Sequence, residues 1–219
     1  MLGISKYKKL KKLSDKQTSA LVASATKAVS TGGGKTIDVI YCHCCNLPVF
    51  EDDAFIGQTE DSADAKILCG LCYYPRNLDM VRFSDSGTLI FAPDLTQTQV
   101  SSLALVMYYA KSLASESQDM MDLISDVEDL ILRRSEVLNT GICHGASTPS
   151  IVCQFMYMMD ESDYEERGKL FDSVRLFPSE KLASRQLAYL STNVLKKYHP
   201  DKWGGFVQAM GKQIKASSI

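Results

Sequence analysis

Residues 42 to 72 read CHCCNLPVFEDDAFIGQTEDSADAKILCGLC, and their reading decides the fold. The stretch opens with Cys42-His43-Cys44-Cys45 and closes with Cys69-Gly70-Leu71-Cys72, two C-x-x-C pairs separated by 24 positions from Cys45 to Cys69. A tight turn places the sulfurs of one pair about 3.7 Å apart, which suits two corners of a tetrahedron with Zn–S bonds of about 2.3 Å. Two pairs complete a four-thiolate shell, and the segment between them is long enough for a β-hairpin. Thiolates favour zinc over hard ions such as magnesium. We therefore expect one structural Zn2+ held by Cys42, Cys45, Cys69 and Cys72, with His43 and Cys44 as alternative ligands. A closed four-thiolate site leaves no coordination position for an activated water, so this zinc should hold the fold together and perform no chemistry.

Outward from this stretch the chain divides into three parts. Residues 1–36 read as a basic arm followed by a short helix. Lys6, Lys8, Lys9, Lys11, Lys12 and Lys16 crowd the arm. Leu21, Val22, Ala25 and Val29 fall near helical spacing, and Gly32-Gly33-Gly34 end the helix. Residues 37–95 form the zinc unit, with short strands at Ile37–Tyr41, Ala54–Ile56, Lys66–Leu68, Met80–Phe83 and Leu89–Phe91. Residues 96–219 read as helical. Thr96 with Gln99 makes a capping box, and a second helix covers about 118–138, with Met121, Ile124, Val127, Leu130, Ile131 and Leu138 on its apolar face. Thr148-Pro149 opens a third helix, Ser162 with Glu165 caps a fourth, and Ser179 opens a fifth that Pro200 ends. Cys143 and Cys153 fall on helical segments as core or incidental residues. The fold class expected is α+β: a small zinc-bound β unit followed by helices.

Composition narrows the function. The chain is 45% hydrophobic with a net charge of −2, which provides a core and excludes a polycation that coats nucleic acid. The apolar run Leu103–Ala110 is far shorter than the roughly 20 residues a spanning helix requires, and no signal-peptide pattern follows the basic start. Paired cysteines in metal spacing suit a reducing compartment, so a cytoplasmic protein is expected. Gly34-Lys35-Thr36 is not a phosphate-binding loop, because Val29 stands where the first glycine of that motif belongs. The adjacent acids Asp52/Asp53 and Glu165/Glu166 point apart on a turn or helix and are assigned no chemistry.

Three resemblances carry functional expectations. The zinc segment resembles the treble-clef core of HNH endonucleases, but the residues between the pairs contain no histidine, and Tyr73 and Tyr74 stand where a trailing histidine would be. Without an imidazole base or metal ligand, nuclease chemistry has no nucleophile, and nucleic acid is an unfavoured partner. Tyr198-His199-Pro200-Asp201-Lys202 resembles the loop by which J-domain co-chaperones contact Hsp70. The third resemblance is the most specific. Gly87-Thr88-Leu89-Ile90-Phe91-Ala92-Pro93-Asp94-Leu95-Thr96-Gln97 is similar to the G-x-L-I-x-x-P-E-L-T-Q stretch of the IcmJ/DotN family. Leu170-Phe171-Asp172-Ser173-Val174-Arg175-Leu176-Phe177-Pro178-Ser179 is similar to that family's L-F-x-x-I-R-L-L-P-S. The resemblance implies a degenerate HNH-like zinc fold reused as a scaffold in a Dot/Icm-type (type IVB) secretion or conjugation system. It further implies binding to the C-terminal extension of a VirD4-like coupling ATPase, alongside other coupling-complex subunits. The protein would then lie in the cytoplasm, peripheral to the inner membrane through that complex. It would not be an enzyme. Tyr108, Tyr109, Met156, Tyr157, Met158 and Met159 are large candidates for core or partner contact, and Met156–Met159 cannot all face one side of a helix.

Overall fold

The computed structural model describes residues 2–4, 13–30, 36–50, 53–58, 64–80, 87–113 and 118–195. Helix α1 (Asp15–Ala25) starts at a capping box in which Ser14 Oγ accepts from the Gln17 amide and Gln17 reaches back. It ends at Ala25, earlier than expected, and Val29 lies in a strand. β1 (Thr26–Ser30) pairs antiparallel with β2 (Thr36–Ile40), from Thr26↔Ile40 to Ser30↔Thr36. β-branched Thr26, Val29, Thr36, Ile37, Val39 and Ile40 favour extended backbone over continued helix. The residue that follows Lys35 therefore opens a strand, as the rejection of a phosphate loop requires.

β3 (Phe55–Gly57) and β4 (Lys66–Leu68) pair as the hairpin between the cysteine pairs, with Ile56 opposite Ile67. A one-turn helix α2 (Gly70–Tyr73) follows, and Met80 closes a 3-10 turn, Leu78–Met80, in place of opening a strand; residues 81–83 lie outside the described residues. Then come β5 (Thr88–Phe91), α3 (Gln97–Leu113), α4 (Gln118–Gly141), α5 (Pro149–Met158), α6 (Glu161–Glu165), α7 (Gly168–Phe171), β6 (Val174–Phe177) and α8 (Glu180–Asn193). The Thr96–Gln99 capping box is present, with the Gln99 amide donating to Thr96 Oγ1 at 3.2 Å and the Thr96 amide donating to Gln99 Oε1 at 2.8 Å. α6 is capped by Asp160, whose carboxylate accepts from the Asp163 amide, and not by Ser162. α8 starts at Ser179 as expected but stops at Asn193, well before Pro200.

β6 is the element the sequence reading missed. It pairs antiparallel with β5, with Leu89 opposite Leu176 and Phe91 opposite Val174. Two packed clusters meet on this ribbon. Ile90 and Phe177 join the cluster that contains Val100, Ala104, Leu105 and Tyr108 of α3 and the cysteines. Leu89, Val174 and Leu176 join the other, with Leu138, Val152, Met156, Tyr164 and Phe171. Successive strand residues point to opposite faces, so the ribbon sends Ile90 and Phe177 into one cluster and Leu89, Val174 and Leu176 into the other. The second cluster also takes in Leu2 and Ile4. Tyr164 Oη accepts from the Ile4 amide and donates to its carbonyl, and Arg167 Nε donates to the Leu2 carbonyl. Among the described residues, no helix is long and apolar enough to cross a membrane.

Candidate metal centre

Backbone geometry brings the first pair together. The Cys42 amide donates to the Leu47 carbonyl at 2.8 Å and the Asn46 amide to the Cys42 carbonyl at 2.9 Å, closing a turn around Cys42–Cys45. Asn46 makes that turn in the left-handed region, at φ +56°, which asparagine tolerates better than most residues. Lys27 clamps the turn from β1, donating to Asn46 Oδ1 and lying over the Tyr41 ring. The second pair sits at the start of α2. Cys69 is the N-cap, and its carbonyl accepts from the amides of Cys72 and Tyr73. The His43 amide donates to the Ile67 carbonyl at 2.9 Å, which docks the first turn on the strand leading into the second pair.

The outcome is a cluster of four thiols, Cys42, Cys45, Cys69 and Cys72, whose sulfurs all lie within 4.8 Å of one another. Cys45 and Cys69 are 3.6 Å apart, close to the tetrahedral edge expected around zinc. Cys42, Cys69 and Cys72 are buried, and all four are free of disulfides. The sulfurs compete for protons. Thiols of Cys45, Cys69 and Cys72 hydrogen-bond to the Cys42 sulfur and hold its pKa far below the ordinary thiol range. The same contacts with Cys42 and its neighbours push Cys69 and Cys72 far upward. A bound cation would relieve this crowding by taking all four sulfurs as ligands. The donor set and spacing therefore fit a metal ion.

The alternative ligands take other places. Cys44 and His43 are exposed, and neither belongs to the four-sulfur group. Cys44 borders it, since a hydrogen bond from Cys72 lowers its thiol to about 6. Asp53 buttresses the second pair. Its Oδ2 accepts from the Gly70 amide at 3.3 Å and from Gln186 Nε2 of α8 at 2.8 Å, and burial raises its pKa. Sequence reading assigned Asp53 no role; an acid two positions before a strand gives no signal of a contact 133 residues away. Tyr73 and Tyr74 pack as an aromatic trio with Phe55, at centroid distances of 4.5 and 5.1 Å from it. They brace the hairpin against α2.

The remaining predicted residues disperse. Cys143, expected on a helical segment, lies exposed in the turns between α4 and α5 beside His144, because α4 ends at Gly141 and Gly145 adopts φ +84°. Cys153 is buried on α5, where burial raises its thiol to about 11. His199-Pro200-Asp201, Gly34-Lys35, and the lysines of the arm from Lys6 to Lys12 lie outside the described residues; Lys16 is exposed on α1. Tyr108, Tyr109 and Met156 are core, whereas Tyr157 and Met158 are exposed, so the Met156–Met159 run does divide between two faces.

The two strings that carried the strongest resemblance turn out to be spatial partners. GTLIFAPDLTQ supplies β5 and the start of α3, and LFDSVRLFPS supplies β6. Gln97, the last residue of the first string, reads β6 as another strand would. Its Nε2 donates to the Leu176 carbonyl at 2.7 Å and its Oε1 accepts from the Leu176 amide at 2.9 Å. Gly87, the first residue, lies at φ +89°, where a Cβ would stand 2.1 Å from the Phe177 carbonyl oxygen.

Fold and site define a small α+β protein built around a buried four-cysteine cluster able to hold a metal ion. Over 129 residues the chain is 26% identical to the type 4 apparatus protein DotN of Legionella pneumophila subsp. pneumophila (strain Philadelphia 1). This similarity relates the chain to the DotN/IcmJ family, the relationship expected from the two paired strings. The match takes in 59% of this chain and 58% of DotN, so the chain spans less than two thirds of the relative it matches. No family model matches the chain.

Proposed function

We propose that this protein is a non-enzymatic, zinc-stabilised scaffold of a type IV secretion or conjugation apparatus of the Dot/Icm kind. In this reading Cys42, Cys45, Cys69 and Cys72 hold Zn2+ in a treble-clef-like unit derived from an HNH fold. The protein joins the cytoplasmic coupling complex, peripheral to the inner membrane, by binding the C-terminal extension of a VirD4-like coupling ATPase. The observation that carries the reading is the 129-residue similarity to DotN, a protein named for a type 4 apparatus. The centre supports it. Four thiolates would fill the coordination shell of zinc, which leaves a staple and no open position for water.

Capture of the coupling ATPase tail by the purified full chain is the direct test. The expected result is a stable complex that survives gel filtration. Failure to bind any part of that ATPase would overturn the reading. Cleavage of DNA in the presence of magnesium, manganese or zinc would replace it with the nuclease alternative.

A further inference from the structure

The outward side of α4 is not uniformly polar. Leu123, Leu130 and Val137 are 54%, 47% and 47% exposed, although Leu130 reads from sequence as core. Seven residues separate each from the next, so they form one line along the helix, about 21 Å long at a rise of about 1.5 Å per residue. Beside this line run Asp119, Asp122, Asp126 and Asp129, all exposed. Two other charges of α4 are already engaged: Glu128 with Lys111 at 2.6 Å, and Arg134 with Asp94 at 2.8 Å. None of the four aspartates has a cation partner among the described residues. Among the described residues, Asp122 accepts from Gln118 Nε2. Arg133, just past Asp129, is the helix's other cation.

We propose that this face of α4 binds a basic amphipathic helix of a partner protein. Apolar side chains of that helix lie along Leu123, Leu130 and Val137, and its lysines or arginines meet the aspartate row. The inference rests on the scaffold reading above and names the chemistry of the partner segment. Charge argues against three other occupants. A second copy of the chain would set aspartates against aspartates, and an anionic bilayer or a nucleic acid would be repelled by the same row. The apolar stripe Ile151, Phe155 and Met158 on α5 lacks this information, because α5 carries no charge at all.

The test uses the full chain and two synthetic helical peptides of about 18 residues, one patterned with leucine and lysine and one with leucine and glutamate. Calorimetric titration should show binding of the lysine peptide alone, weakening at high ionic strength. Leu130→Asp should weaken it at least about tenfold, and the triple variant Asp122→Lys, Asp126→Lys, Asp129→Lys should remove the salt dependence. All of these positions are exposed, so circular dichroism and melting temperature should stay near those of the parent and exclude misfolding. Equal binding of the glutamate peptide, or binding indifferent to Leu130→Asp, overturns the proposal. So does self-association that Leu130→Asp abolishes. The chain's only tryptophan, Trp203, lies in its own lysine-bearing residues 196–219. A shift of its emission to longer wavelength in Leu130→Asp would mean that this segment occupies the face, and would also overturn the proposal. If parent and Leu130→Asp capture the coupling ATPase tail equally, the α4 assignment fails while the scaffold reading stands.

Discussion

Gly87 and Tyr108 show how single residues hold the β5–β6 ribbon in place. At Gly87 both the positive φ and the close backbone of Phe177, Pro178 and Ser179 exclude a side chain. Gly87→Ala should therefore destabilise the protein by about 2 kcal/mol or more, read as a lowered denaturant midpoint. Gly141→Ala is its control, because a Cβ there meets nothing within 4 Å. Tyr108 donates to the Pro178 carbonyl at 2.8 Å, and burial raises its phenol to about 12 from 10. Between those pH values the unfolded chain releases a proton that the folded chain retains, so stability falls as pH rises through the window. Tyr108→Phe should cost about 1 kcal/mol at neutral pH, for the lost hydrogen bond. It should also make the alkaline loss of stability shallower between about pH 10 and about pH 12. Denaturant titrations across that range measure both effects, and an unchanged slope would contradict the assignment.

At the scale of elements, the ribbon and the start of α3 behave as one unit. Gln97 occupies the first turn of α3 and holds the Leu176 amide and carbonyl of β6. Arg175 adds a second tie, donating from Nε to the Leu95 carbonyl at 2.7 Å. Gln97→Leu keeps the volume but leaves both backbone groups of Leu176 unpaired in a part-buried site. The expected cost is about 2 kcal/mol, with faster amide exchange at Leu176 than in the parent. Protection at Leu176 that survives the substitution would show that the strand pair stands without α3. The ribbon also explains why β6 was missed. VRLF is short and flanked by helix signals, and its partner lies some 80 residues upstream, so no local pattern announces a strand.

At the scale of the whole molecule, the cysteine cluster is not an appended module. Cys42, Cys69 and Cys72 belong to the same packed cluster as Val100, Ala104, Leu105 and Tyr108 of α3 and Ala183 of α8. Asp53 and Gln186 bridge α8 to the start of α2 through hydrogen bonds. Removing metal should therefore loosen the helices as well as the hairpins. Chelation, or Cys42→Ser, is expected to release about one zinc per chain in a metal assay and to lower the melting temperature of the helical circular dichroism signal in a single transition. A metal-free protein whose helices melt unchanged would falsify the shared-core account.

The sequence by itself determined the ligand candidates, the capping residues Thr96 and Ser179, and the α+β class. Those signals are local: a C-x-x-C pair, a cap and a short apolar run each act within a few residues. The family relationship was legible too, through two strings whose residues are constrained by contact with each other. Only the tertiary structure decided that those strings pair as one ribbon, that Leu2 and Ile4 are core, and that Leu130 is surface. Helical periodicity counts apolar residues around a helix, but which neighbours cover each side depends on contacts far apart in the chain. The exposed line on α4 is therefore visible only once β5 and α3 have taken the neighbouring face of the helix.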